Sequence, residues 1–250
     1  MNWLDAAQAE VNAKFMPLTR LTGFVVSANQ EAFTLPADLI MTEVVWHAKA
    51  VRTTLIYKTP KEFLKLKMVA QSATGYPQYF TEFEGRIYLW PMYASADQTS
   101  TASGAFTIAT TQISVATITG FQIQGLVQAS NGEIIQYTNT STGTIKGCVR
   151  GYAGTTAASG ADTGTLSQMS LQVLYRRQAA SLATSLDSVD LPTIYERAIE
   201  NWVLYLAYAA EGSQQKAEAQ YQICQQEFQR LEYIGSRDEM GGPMRIADAL

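Results

Sequence analysis

Histidine is all but missing from this chain of 250 residues: His47 is the only one, and it sits in a stretch that alternates like a strand. A lone strand imidazole reads as a packing or surface residue. It leaves no base for a Ser-His or Cys-His couple and no second ligand for an H-E-x-x-H zinc helix. None of the many serines lies in a G-x-S-x-G elbow, and neither a Walker A loop nor a G-x-G-x-x-G fingerprint occurs. With no base, nucleophile or metal set to name, the sequence offers no catalytic residue, no cofactor site and no metal site, and an enzyme is not expected. The carboxylate pairs Asp187/Asp190 and Glu196/Glu200 suit cap and helix-surface roles, and Asn139-Thr140-Ser141 is a glycosylation sequon by chance.

Cysteine is scarce as well. Cys148 lies in Gly/Thr-rich sequence and Cys224 on a helical seam, so no disulfide is expected and a reducing compartment fits. Charged residues make up only 16% of the chain, the net charge is −4, and no block of Lys and Arg marks a specific nucleic-acid footprint. The longest wholly apolar run, Trp202 to Ala210, is far too short to span a bilayer. The opening Met1-Asn2-Trp3-Leu4-Asp5 carries neither a basic n-region nor an apolar h-region, which predicts a soluble protein with no membrane partner.

The longest unbroken helical signal runs from Leu191 to Ile234. Ile194, Ala198, Trp202, Leu206 and Ala209 share one face of a first helix, and Ala217, Tyr221, Cys224, Phe228 and Leu231 form a narrow stripe on a second. Gly212-Ser213 supplies a left-handed stop followed by a cap, so the two helices are predicted to fold into an αα-hairpin. Leu4, Ala7, Val11 and Phe15 place another amphipathic helix over 2–16, with Pro17 as its stop.

Between these helices the chain reads as strands. Residues 33–36, 40–46 and 53–58 are β-patterned, Pro60 opens a short helix over 61–70, and 78–83 and 86–90 flank Glu84-Gly85 as a tight hairpin. From about Ala96 the composition shifts: between Gln98 and Met169 the charged residues are Glu133, Lys146, Arg150 and Asp162, and Thr, Ser, Gly and Ala dominate. Short β-runs at 106–109, 112–116, 133–138 and 144–149 predict a small all-β module. Strand character resumes at Ser170 to Arg177, so residues 97–169 read as an insertion at a turn between neighbouring strands. The expected organisation is α+β. A discontinuous core over 1–96 and 170–234 would combine a helical bundle, made of the N-terminal helix and the αα-hairpin, with a small antiparallel sheet. An inserted all-β domain over 97–169 and a C-terminal arm over 235–250 complete it.

Two sets of motifs carry a resemblance. The order Leu35-Pro36-Ala37-Asp38, Gly75-Tyr76-Pro77-Gln78-Tyr79, Gly85-Arg86-Ile87-Tyr88-Leu89-Trp90-Pro91, Leu174-Tyr175-Arg176 and Asp190-Leu191-Pro192 before a helical hairpin resembles the head-to-tail adaptor, or connector, proteins of tailed bacteriophages. Gly132-Glu133-Ile134-Ile135-Gln136-Tyr137, followed by Arg150-Gly151-Tyr152-Ala153-Gly154-Thr155-Thr156-Ala157, is similar to a small β-module recurring in phage virion proteins. Many copies of that module carry a histidine soon after the Thr-Ala pair, where this chain has Ser159 and Gly160.

The resemblance implies a structural virion protein of the neck, assembled in the host cytoplasm. Its copies would form a ring, commonly a dodecamer, that joins the portal protein to a downstream tail or nozzle protein. The ring would continue the channel for passing double-stranded DNA without binding it specifically. Candidate subunit or portal contacts are Trp202, Tyr205, Tyr221, Phe228 and Leu231 on the hairpin and Met244, Ile246 and Leu250 in the arm. Two other readings fit the same composition: a stopper or tail-tube protein, and a glycan-binding module built on 98–169.

Overall fold

The computed structural model describes residues 3–49, 52–69, 73–159, 164–183 and 187–239. Four α-helices and several small sheets, none closed into a barrel, make the fold α+β among those residues. The helices are α1 (Trp3–Phe15), α2 (Pro60–Val69), α3 (Glu196–Ala210) and α4 (Gln214–Glu239). The chain divides into two compact units, one made of Met1–Thr19 with Arg176–Leu250 and the other of Arg20–Tyr175.

The helical unit closes around α3. Its core joins Ala7 and Val11 of α1, Ala198 and Ile199 of α3 and Phe228 and Leu231 of α4, with Leu18 and Leu191 completing it. Each large apolar side chain buried this way contributes about 1.5–3 kcal/mol. The expected break between α3 and α4 falls at Gly212, whose φ is 73°. The Ser213 N–H reaches back to the Tyr208 carbonyl at 3.1 Å, a bond that satisfies one of the carbonyls orphaned at the end of α3.

Polar side chains on α1 fasten the segment that leads into α3. Gln8 donates to the Ala180 carbonyl and accepts from the Asp190 N–H, both at 2.7 Å, while Asn12 donates to the Arg177 carbonyl at 3.3 Å. Arg177 grips the Asp190 carboxylate with two N–H donors at 2.6 and 2.9 Å, and the Ala180 N–H adds a third donor at 2.9 Å. Such bidentate, charge-assisted contacts are stronger than neutral ones, so the described residues between Arg177 and α3 are held although they carry little regular structure.

In the β-rich unit the hairpin of Tyr79–Phe83 and Arg86–Trp90 turns at Glu84-Gly85 with Phe83 opposite Arg86. Ala32–Thr34 lies on one side of this pair and Ile56–Tyr57 on the other. A second sheet orders Thr19–Phe24, Leu171–Arg177, Leu39–His47 and Thr53–Thr54. Phe33, Val45, Phe80, Ile87, Leu89, Leu171, Val173 and Tyr175 from the two sheets share one core. His47 is buried there, stacked on Tyr76 with ring centroids 5.3 Å apart, and burial lowers its pKa.

Residues 97–169 form a five-stranded sheet, in the order Thr99–Thr101, Thr165–Gln168, Gly125–Ala129, Ile134–Tyr137 and Val149–Tyr152, and a three-stranded one built on Gln112–Ser114, Thr144–Lys146 and Asn139–Ser141. Val127, Ile135, Tyr137, Ile145 and Leu166 fill the core of this region. Because side chains alternate across a sheet, Leu126 and Ile134 point the other way, where they meet Met169, Leu21 and Val25. Covering both faces explains why Leu126-Val127 and Ile134-Ile135 read as continuous apolar pairs instead of alternating.

Several features differ from the sequence expectation. Arg86–Trp90 and Leu171–Arg177, expected as neighbouring strands on either side of the insertion, lie in different sheets. Ile194 falls in a 3-10 turn ahead of α3 and Ala209 is exposed, so the packed face of α3 is carried by Ala198 and Ile199. Phe106–Ala109 is not a strand: the Thr107 N–H donates to Thr110 Oγ1 at 2.9 Å and the Thr110 N–H to the Thr107 carbonyl at 3.1 Å, so threonine-backed turn bonds displace a ladder. On α4, Gln220 and Glu227 are buried beside Cys224 and Phe228, while Tyr221 moves to the rim, 38% exposed. Gln220 is satisfied by Asn201 Oδ1 at 3.0 Å and Glu227 by Arg230 at 2.6 Å, which makes their burial tolerable. Finally, α4 continues past Ile234 and through Gly235 to Glu239, since one helical glycine costs only about 1 kcal/mol relative to alanine.

The two sheet regions meet at Asp97, whose side chain is buried. One of its oxygens accepts the Val26 N–H at 2.8 Å and the Ser170 N–H at 3.0 Å, and Lys49 lies 3.8 Å from the other. Burial raises the carboxyl pKa, and the bonds from Ser170 and Val26 and the Lys49 charge pull it back down. Both cysteines are free and buried, Cys148 in the β-rich unit and Cys224 in the helical one. Asp97→Ala would strand two buried N–H donors at about 1–3 kcal/mol each. A loss of several kcal/mol in urea unfolding is therefore expected, and an unchanged midpoint would show that the clamp contributes nothing.

Candidate functional site

The α3/α4 hairpin is where most of the contact candidates expected from the sequence fall. Trp202 sits between the helices, its ring 5.4 Å from Phe228 and nearly parallel to it, 5.3 Å from Tyr205 and 6.2 Å from Tyr221. Tyr205 and Tyr221 are themselves 5.4 Å apart. The four rings form one continuous aromatic run, and offset or tilted pairs at these separations add about 0.5–1.5 kcal/mol each beyond simple burial.

The run is graded from core to surface. Phe228 is 2% exposed and Leu231 4%, covered by the chain's own helical core, where Phe15 meets Phe228 edge-on at 5.4 Å and Lys14 lies 4.5 Å from the same ring. Neither presents a surface to a partner. Their helical spacing on the seam is satisfied inside the chain. Trp202 and Tyr205 are half-buried, and Tyr221 reaches the surface. Near the tip of the hairpin Tyr205 and Tyr221, with Ala209, Gln214, Ala217 and Glu218, line an open hollow of about 350 Å³. Met244, Ile246 and Leu250 lie outside the described residues.

A second constellation surrounds the motif shared with phage β-modules. Arg150 donates to both oxygens of Glu133, from Nε at 2.8 Å and from a terminal nitrogen at 2.6 Å. Both side chains are almost fully buried. The remaining lone pairs of Glu133 accept the N–H groups of Gly151 at 2.8 Å and Ala158 at 3.2 Å, and Arg150 also reaches the carbonyls of Thr107 and Ala158. Thr155 Oγ1 donates to the Tyr152 carbonyl at 2.8 Å and accepts the Ile134 N–H at 3.0 Å.

Gly151 and Gly154 have φ of 62° and 78°, a region L side chains rarely adopt. A Cβ at Gly151 would approach the Thr155 carbonyl oxygen to 2.9 Å, and one at Gly154 would meet the Arg20 guanidinium at 2.7 Å. Every residue of the R-G-x-x-G-T pattern thus has a local structural task, and none is left aimed at a ligand. The sequence showed the motif, yet the ion pair that links Glu133 to Arg150 is a contact across strands that spacing alone does not reveal.

Burial pushes the Glu133 carboxyl up, but the Arg150 guanidinium and the two backbone donors outweigh it and hold the pKa below the usual carboxylate range. A lowered folded-state pKa stabilises the fold above the unfolded value, about 4.3, and that contribution is lost as pH falls through the folded value. Glu133→Gln breaks the pair and leaves Arg150 buried without a counter-charge, a loss of about 3–5 kcal/mol at neutral pH. In thermal melts the gap between wild type and E133Q is expected to narrow as the pH is taken below 4. A gap independent of pH would rule out the ionised latch.

Among the described residues no helix is long and apolar enough to cross a membrane. The family described as SU10 adaptor protein matches residues 1–247. No curated protein matches the chain.

Proposed function

The chain belongs to the SU10 adaptor protein family, structural proteins of the bacteriophage virion, and we propose that its copies form the ring that joins portal to tail. In this reading the ring, a dodecamer, docks on the portal protein, receives a downstream tail or nozzle protein, and continues the channel through which double-stranded DNA leaves the head. It assembles in the host cytoplasm and has no catalytic step. Its work is done by buried area between subunits and by shape.

The observation that carries this reading is the reach of the family match, which takes in the helical unit and the β-rich unit together. Two features of the chain agree with it. The aromatic run from Phe228 to Tyr221 has an anchored end and an exposed end, the arrangement of a rigid side-chain platform that loses little entropy on contact. The net charge of −4 and the low share of charged residues suit a channel wall that does not grip the phosphate backbone, since tight binding needs many neutralised phosphates.

Residues 97–169 are proposed as an insertion carried on the adaptor core, and the terminal segment beyond the described part of α4 as the arm that orders on the portal, with Met244, Ile246 and Leu250 as its apolar contacts. Trp202, Tyr205 and Tyr221 are the proposed hairpin contacts. Phe228 and Leu231 support them from beneath as core residues.

Mass photometry of the portal ring with and without the purified protein tests the proposal directly. About a dozen chains added per portal is the expected result, and an unchanged portal mass would place the protein elsewhere in the virion. Two substitutions separate folding from assembly. Tyr221→Glu is expected to keep the helical circular dichroism signal and reduce portal loading. Phe228→Ala is expected to cost about 3–5 kcal/mol of stability. Full loading by Y221E would remove the hairpin tip from the interface.

A further inference from the structure

Helix α2 is anchored by one residue and otherwise turned outward. Phe63 is 3% exposed, whereas Leu64 is 61%, Met68 79% and Val69 89% exposed, unusual values for large apolar side chains. Lys61 and Lys65 share that outer face and form no ion pair among the described residues, unlike Lys67, which is bound to Glu31. Thr59 and Glu62 close a reciprocal capping box, with the Thr59 N–H donating to Glu62 at 3.0 Å and the Glu62 N–H donating to Thr59 Oγ1 at 3.4 Å. The start of the helix is therefore fixed, and its outer face is a defined surface.

That face is ordered as charge, charge, apolar at steps of four: Lys61, Lys65, Val69. Helix α3 carries the opposite text at the same steps: Glu196, Glu200, Leu204. Glu196 and Glu200 are exposed and form no ion pair among the described residues, and Leu204 is 45% exposed. Ala198 and Ile199 hold the buried face of α3. Four residues of helix rise about 6 Å, so the two charge pairs have the same span. Like charges four apart on one helix repel by about 0.2–0.5 kcal/mol. Both helices carry that small penalty on an exposed face, eased in part by Glu62 three residues before Lys65 and by Arg197 three residues before Glu200.

We infer that the outer face of α2 in one copy docks, in parallel, on the α3 face of the next copy, with Lys61 against Glu196, Lys65 against Glu200 and Val69 against Leu204. The inference rests on the ring reading and specifies its contact. Each copy bears one face of each kind, so the contact is heterologous: every addition leaves one of each open until the chain of copies closes on itself. Opposite charges at the edge of such a contact set register and speed encounter, while Leu64, Met68, Val69 and Leu204 supply the apolar area.

The test is a charge reversal carried out on both faces. Lys61→Glu with Lys65→Glu, and separately Glu196→Lys with Glu200→Lys, alter only exposed side chains, so both variants should keep wild-type circular dichroism. Each is expected to weaken self-association about tenfold or more at low salt. Salt should shrink the difference, because exposed charges are screened. An equimolar mixture of the two variants restores complementarity at every junction and is expected to assemble as the wild type does, alone and on the portal ring, by mass photometry.

A mixture that associates no better than its components overturns the contact. Self-association of the wild type that both variants retain also overturns it and leaves the ring standing. A wild type that neither self-associates nor adds to the portal removes the ring reading, and this contact with it.

Discussion

The β-rich unit depends on one buried carboxylate. Asp97 accepts the Val26 and Ser170 N–H groups on a single oxygen, so it ties together three places far apart in the chain where backbone donors would otherwise be buried without partners. Lys49 works alongside it by binding the Ser95 and Ala96 carbonyls. Between Asp97 and Ser170 the chain builds two sheets with a core of their own and returns to the strand Leu171–Arg177, which continues the first core. Sequence with so few charges and so many Thr, Ser and Gly residues has little else to fix where such a segment departs and rejoins. Polar groups without a partner in the interior are costly, and that cost makes the junction specific.

Much of this was legible beforehand where a local rule decides the outcome. Glycine after glutamate at residues 84 and 85 set the hairpin, Gly212-Ser213 set the break between α3 and α4, and Pro17 follows the end of α1. Helical period places Ala7, Val11, Ala198, Phe228 and Leu231 on inner faces, and they lie in the core. What stayed hidden depends on partners distant in sequence. Gln220 and Glu227 look like surface residues until Asn201 and Arg230 are seen beside them. Thr107 and Thr110 look β-prone until their side chains are seen bonding their own turn. Glu133 and Arg150 look like two of a few stray charges in a neutral stretch, and are its internal fastening.

The candidate site was legible in part, and for a physical reason. Helical period finds the residues of a seam but cannot say which seam is covered by the same chain. Phe228 and Leu231 lie inside, Trp202 and Tyr205 at the boundary and Tyr221 outside. A protein that acts by assembly leaves little chemical signature in its sequence. The usable signal is amphipathic surface in excess of what the chain itself can bury, and the outer face of α2 carries that excess.

The two cysteines have a practical consequence. Burial pushes each thiol up to about 11, so at neutral pH only about one in ten thousand is the reactive thiolate even before access is considered. Cys148 lies in the β-rich unit and Cys224 in the helical one. The native chain therefore carries two silent chemical tags, each uncovered only when its own unit opens. Alkylation followed by peptide mass mapping would time the loosening of either unit separately, in free chains or inside an assembled particle, without an introduced label.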